Sequence, residues 1–173
     1  LLLFLISSLP GCKESQIEIK VSDFGAIPND GKDDTPAILA AIENCKNNEN
    51  VVLSFEMGSY DIYGSQKNER GTFKPSIEIK DINNFTIDGR GAEMIGHDLS
   101  SMFHFQNCNN ITVTNLSTDW NPLPYTQGKV IKVDTAFLDI EVVAPFTAQA
   151  GRRTEAILGY DMENRRMARR FTD

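Results

Sequence analysis

Asp119 and Trp120 stand side by side, a carboxylate next to the chain's only tryptophan. A carboxylate can bond sugar hydroxyls and a flat indole can stack on a sugar ring, so these two form the candidate substrate-binding pair. Each also has a structural reading: Asp119 can cap the turn before Pro122, and Trp120 can pack against the strands that follow. Cleavage asks for more, because hydrolysis of a glycosidic bond needs two carboxyl groups about 5 to 9.5 Å apart. Asp88 is the carboxylate that the repeat described below places in a column, and its aligned partner is Thr114, so no catalytic residue is assigned among the 173. His97 and His104 lie at no zinc-ligand spacing and have no cysteine suitably near, so no metal or cofactor is expected. His104, between Phe103 and Phe105, is expected to face solvent. Cys45 and Cys108 fall at inward positions and are expected to be free thiols in the core.

These side chains need a scaffold, and an internal repeat supplies one. Residues Ile77 to Gly89 align without a gap on Phe103 to Asn115, an offset of 103 − 77 = 26. Ile77 falls on Phe103, Ile79 on Phe105, Ile82 on Cys108, Phe85 on Ile111 and Ile87 on Val113, while Asn83-Asn84 falls on Asn109-Asn110. Each copy reads as two short strands joined by a polar bend, and such a period marks stacked coils with parallel strands in register. Stacking would place Asn84 over Asn110, where amides can form a ladder. A poorer copy is expected around Val51 to Phe55.

Upstream, Ile17 to Val21 alternates as a half-buried strand, and residues 22–31 carry turn chemistry. Asp33-Asp34-Thr35-Pro36 opens a helix, with Thr35 as the expected N-cap and Pro36 at the first helical position. Ile38, Ala41, Ile42 and Cys45 share one face at i, i+3, i+4 and i+7, so the helix must cover an apolar surface. It is expected to close the open end of the first coil. After Trp120 the period is lost, and Val130–Val133 and Phe137–Val143 read as a hairpin across Asp134-Thr135-Ala136.

Leu1 to Leu9 is an apolar run too short to span a bilayer, followed at once by Pro10, Gly11 and Cys12. It reads as the core of an export signal. Leu9-Pro10-Gly11-Cys12 resembles the bacterial lipobox, which implies a lipidated Cys12 as the mature N-terminus and anchoring at the cell envelope. The formal charge of −7 and a pI near 4.9 exclude a field that would attract nucleic acid or an anionic membrane. A lipid anchor is then the expected membrane contact, and a neutral oligo- or polysaccharide the fitting partner.

Val21-Ser22-Asp23-Phe24-Gly25-Ala26, with Asp30 to Ile38, Val51-Val52-Leu53 and Gly58-Ser59-Tyr60, resembles the N-terminal motif of the pectate-lyase-like superfamily. That resemblance implies an all-β, right-handed parallel β-helix with an N-terminal capping helix. Asp119 to Val130 is similar to a junction in bacterial exo-α-1,3-galactosidases, which implies an inserted β-hairpin or barrel segment here and catalytic carboxylates on later coils. The expected organisation is a signal peptide over 1–11, cap and first coils over 12–120, and the inserted segment over 121–173, at the start of a longer protein. The function expected is that of an exported glycoside hydrolase, α-galactosidase-like or pectinase-like. The alternatives are a polysaccharide lyase and a non-catalytic glycan-binding β-helix.

Overall fold

The computed structural model describes residues 16–64, 75–97, 101–148, 150–151 and 157–167. The chain divides into two units, Leu1–Pro124 and Tyr125–Asp173. Cys12 and the apolar run before it lie outside the described residues.

The first unit is built of strands with one α-helix among the described residues. In chain order it holds β1 (Ile17–Lys20), a 3-10 turn (Val21–Phe24), α1 (Thr35–Cys45), β2 (Val51–Ser54), β3 (Ser59–Ile62), β4 (Ile77–Lys80), β5 (Asn83–Gly96), β6 (Phe103–Gln106) and β7 (Asn109–Trp120). Every ladder in it is parallel: β1 with β2, β2 and β3 with β5, β5 with β7, and β4 with β6. Parallel neighbours cannot be joined by a two-residue hairpin, so the chain travels around between each strand and its partner. β5 turns a corner on the way. Its first half pairs with β2 and its second with β3, with Arg90 and Gly91 between them at positive φ.

The 26-residue register is present as the sequence implies. Ile77 pairs with Phe103, Ile79 with Phe105, Phe85 with Ile111 and Ile87 with Val113. The Asn110 side-chain amide donates to Asn84 Oδ1 at 2.8 Å, with both residues in the left-handed region at the same bend. Ile82 is buried, and half-buried Cys108 packs on the core with its thiol donating to the Ile79 carbonyl at 3.5 Å. Cys45 and Cys108 are free thiols. The earlier copy is β2, where Val51 pairs with Phe85 at an offset of 85 − 51 = 34.

Alternation drives the packing. Leu53, Phe55, Tyr60, Ile62, Ile77, Ile79, Phe85, Ile87 and Met94 are fully buried, each worth about 1.5–3 kcal/mol relative to exposure. The aligned positions in the next copy are more open, with Phe105 38% and Val113 46% exposed where Ile79 and Ile87 show none. Among the described residues no strand pairs beyond β7 or β6, so these side chains have neighbours on one side only.

The face of α1 carrying Ile38, Ala41, Ile42 and Cys45 is buried against β1, β2 and β4, as its spacing requires. Its N-terminus departs from expectation. Thr35 is the first helical residue rather than the cap, which moves Pro36 to the second helical position, and Asp33 Oδ1 accepts the Thr35 N–H at 2.9 Å. The Thr35 hydroxyl instead accepts the Tyr63 N–H at 3.0 Å and lies 3.3 Å from the Tyr63 carbonyl. A long-range partner outcompetes the local cap here, because β3 runs beside this segment.

In the second unit, β8 (Gly128–Val133) and β9 (Leu138–Val142) form the anticipated antiparallel hairpin, closed by the Asp134 N–H on the Phe137 carbonyl at 2.9 Å. β10 (Tyr160–Asp161) and β11 (Arg166–Met167) form a separate two-stranded ladder. The described residues of this unit make no closed sheet.

Candidate functional site

The register of β3, β5 and β7 arranges one outward face in rows. Ser59, Glu93 and Ser117 form one row, and Asp61, Ile95 and Asp119 the next. Backbone bonds from His97 to Ile62 and from Asn121 to Gly96, each 2.9 Å, extend the pattern to Tyr63, His97 and Asn121. Asp119 thus has counterparts that the 26-residue alignment did not give it. Parallel strands lie roughly 4.8 Å apart, so the backbones of Asp61 and Asp119 are separated by about 10 Å.

The two carboxylates differ in what holds them. Asp61 Oδ1 lies 2.6 Å from His97 Nε2, and its backbone N–H donates to Asp34 Oδ2 at 3.1 Å. Asp119 is exposed, and its Oδ1 accepts the Trp120 N–H at 2.8 Å. Asp61 is therefore committed to a neighbour while Asp119 faces solvent.

Adjacent residues of a strand point to opposite faces, and this separates the pair that looks joined in sequence. Trp120 is half-buried and packs against the core, aligned with Gly96. A Cβ at Gly96 would lie 2.8 Å from both Cδ1 and Nε1 of the indole, so the glycine is what makes room for the ring. Asp119 looks outward, and the two residues do not line one surface together. The expected packing partner of Trp120 is the hairpin that follows it; the contacts its ring makes here are with Gly96 and the core.

Sequence reasoning passed over His97. Its Nδ1 lies 2.7 Å from the Asn121 carbonyl, and its ring stacks on Tyr63 with centroids 4.4 Å apart and planes 19° from parallel. Both ring nitrogens face oxygen acceptors, so the ring bonds both when each nitrogen carries a proton. The available signal was alternation: Tyr60, Ile62 and Met94, Gly96 face inward, which puts Asp61, Tyr63 and His97 together outside. His104 is exposed, as expected.

Asp88 is engaged elsewhere. It accepts the Asn115 amide at 3.0 Å and the Arg90 N–H at 3.2 Å, and the Asn115 bond leads in holding its carboxyl below the usual range. Beside it, Glu18 accepts Ser54 Oγ at 2.7 Å and the Arg90 guanidinium at 2.8 Å, and is lowered mainly by the serine bond. Carboxyls held in the ionised form are poor general acids near neutrality. Burial acts the other way on Asp34 and pushes its carboxyl up, against two backbone N–H bonds that stabilise the charge. Among the described residues no three His, Cys, Asp or Glu side chains are gathered to hold a metal ion.

No family model matches the chain. It is 34% identical over 135 positions, 72% of this chain, to alpha-1,3-galactosidase B of Bacteroides thetaiotaomicron, covering 22% of that protein. It is 24% identical over 173 positions, 91% of this chain, to alpha-1,3-galactosidase A of Shewanella woodyi, covering 28% of it. It is 30% identical over 117 positions, 59% of this chain, to alpha-1,3-galactosidase A of Bacteroides fragilis, covering 19%. The chain spans 19 to 28% of the length of these relatives.

Proposed function

We propose that the chain opens an exported glycoside hydrolase built on a right-handed parallel β-helix, which removes terminal α-1,3-linked galactose. The observation that carries the reading is the similarity to proteins named alpha-1,3-galactosidase from different genera over most of this chain. The parallel ladders support the fold assignment, because successive strands stack at offsets of 24 to 34 residues with inward apolar columns. Cys12 is the proposed site of lipidation, which would tether the enzyme at the cell envelope where polymeric glycans arrive.

In this reading the present residues build and align the scaffold, and the carboxyl pair that cleaves the bond stands on other coils. A general acid protonates the leaving oxygen while the second carboxylate acts as base or nucleophile. Asp119 would meet the substrate from the outward face by bonding sugar hydroxyls. Trp120 would support it from behind by fixing the end of β7.

The test is to express the full-length protein and examine its products. Free sugar without ultraviolet-absorbing unsaturated product supports the hydrolase. Absorbing product would instead make it a lyase, and binding without turnover a non-catalytic glycan-binding protein. Mass spectrometry of the membrane fraction checks the anchor, and an unmodified mature N-terminus away from Cys12 would sink that part.

A further inference from the structure

We propose that His97 is a positioning residue, a doubly donating imidazolium that ties three successive strand ends together and so fixes the segment carrying Asp119. The substrate side of this rests on the reading of Asp119 as a glycan contact. The tie itself rests on geometry. Nε2 reaches the Asp61 carboxylate at 2.6 Å from the end of β3, and Nδ1 reaches the Asn121 carbonyl at 2.7 Å just past β7. His97 follows the last residue of β5, so one ring spans all three strands.

Neutral imidazole has one N–H, and facing two acceptors it must leave one unbonded. The cation bonds both, and charge-assisted bonds of this length are the stronger kind. Neither nitrogen is left to take a proton from a substrate or to give one, which excludes His97 as a general base and leaves it a structural cation. Its side chain is 19% exposed and is clamped by the stacked Tyr63 ring.

The tie is anchored at depth. Asp34 is buried, and its Oδ2 accepts the Asp61 N–H while its own N–H donates to the Asp61 carbonyl at 2.9 Å. A continuous path runs from Asp34 through Asp61 and His97 to the Asn121 carbonyl, two residues after Asp119. The ionisable groups at the ring are Asp61 of β3 and Tyr63 just past it, with Asp34 behind Asp61; by register, Asp119 of β7 lies in the Asp61 row and Glu93 of β5 one row further along the strands.

Two measurements on the chain and one on the full-length protein test this. Nitrogen NMR of the ring in the wild-type chain should show a proton on both nitrogens near neutral pH. Hydrogen exchange at the Asn121 amide, bonded to the Gly96 carbonyl, should quicken about tenfold in His97→Gln while the Ile79 amide keeps its rate. In the full-length enzyme the same variant should raise KM for an α-1,3-galactoside about tenfold with kcat little changed. A singly protonated wild-type ring, or unchanged exchange at Asn121, would overturn the tie. Faster exchange with an unchanged KM would overturn the positioning of a substrate contact. A wild-type enzyme without galactosidase activity would strike the functional reading alone, because the ring and exchange measurements are made without substrate.

Discussion

Replacing Asp34 should loosen the first unit more than any other single carboxylate change. The residue is 4% exposed, and its two oxygens accept the Ile27 N–H at 2.9 Å and the Asp61 N–H at 3.1 Å. Alanine would leave both donors without an acceptor, at about 1–3 kcal/mol each, so the expected loss is about 2–4 kcal/mol after some relaxation. Asparagine keeps one acceptor oxygen and turns its NH2 toward the other donor, so it should recover about half. Urea unfolding followed by tryptophan fluorescence suits the question, because Trp120 is the only tryptophan and lies in the first unit. The midpoint should fall with the slope unchanged. The pH dependence has a definite sign. Burial raises the folded carboxyl above its ordinary 3.8, so the folded state binds the proton more tightly than the unfolded one. That contribution is complete below the ordinary value and is lost as pH rises through the folded value, so the wild type's margin over Asp34→Asn should narrow with rising pH. An unchanged midpoint for Asp34→Ala, or a margin that widens as pH rises, would refute the reasoning.

Other changes test other contacts. Gly96→Ala should cost about 1–3 kcal/mol and shift the fluorescence of Trp120, because the new methyl would lie 2.8 Å from the indole; unaltered emission and stability would contradict that packing. A double-mutant cycle on Asn84 and Asn110 should give a coupling of about 0.5–1.5 kcal/mol, and additivity would show the ladder to be idle. Burial pushes the Cys45 thiol up to about 12, so alkylation at pH 8 should be slow in the folded chain and fast in urea; rapid native labelling would contradict its burial. Asp88 is held low by Asn115, so its stabilisation is present above the ordinary carboxylate value and lost as pH falls through the folded one. Asn115→Ala should flatten that part of the acid dependence in a urea titration across pH, and an unchanged profile would count against the bond.

The columns were legible because the strands and bend of Ile77 to Gly89 recur without a gap as Phe103 to Asn115. One offset therefore placed Phe85 on Ile111 and the Asn84 amide beside Asn110. Past the corner the offset changes. β5 carries extra residues at the bulge between Asp88 and Ala92, so beyond it the register becomes 116 − 92 = 24, and Asp119 has no partner in a 26-residue alignment. The earlier copy is displaced by 34, which hid the neighbourhood of Asp61 and His97. Thr35 shows the same limit at the helix, where a partner 28 residues away displaced the local cap. Asp119 and Trp120 were adjacent in sequence, but strand alternation put them on opposite sides.

The most direct test is to incubate the full-length protein with an oligosaccharide ending in α-1,3-linked galactose and to quantify the free monosaccharide. The account predicts release of galactose that stops when the terminal linkage is β rather than α. No galactose from the α-linked substrate, with the protein folded, would contradict it.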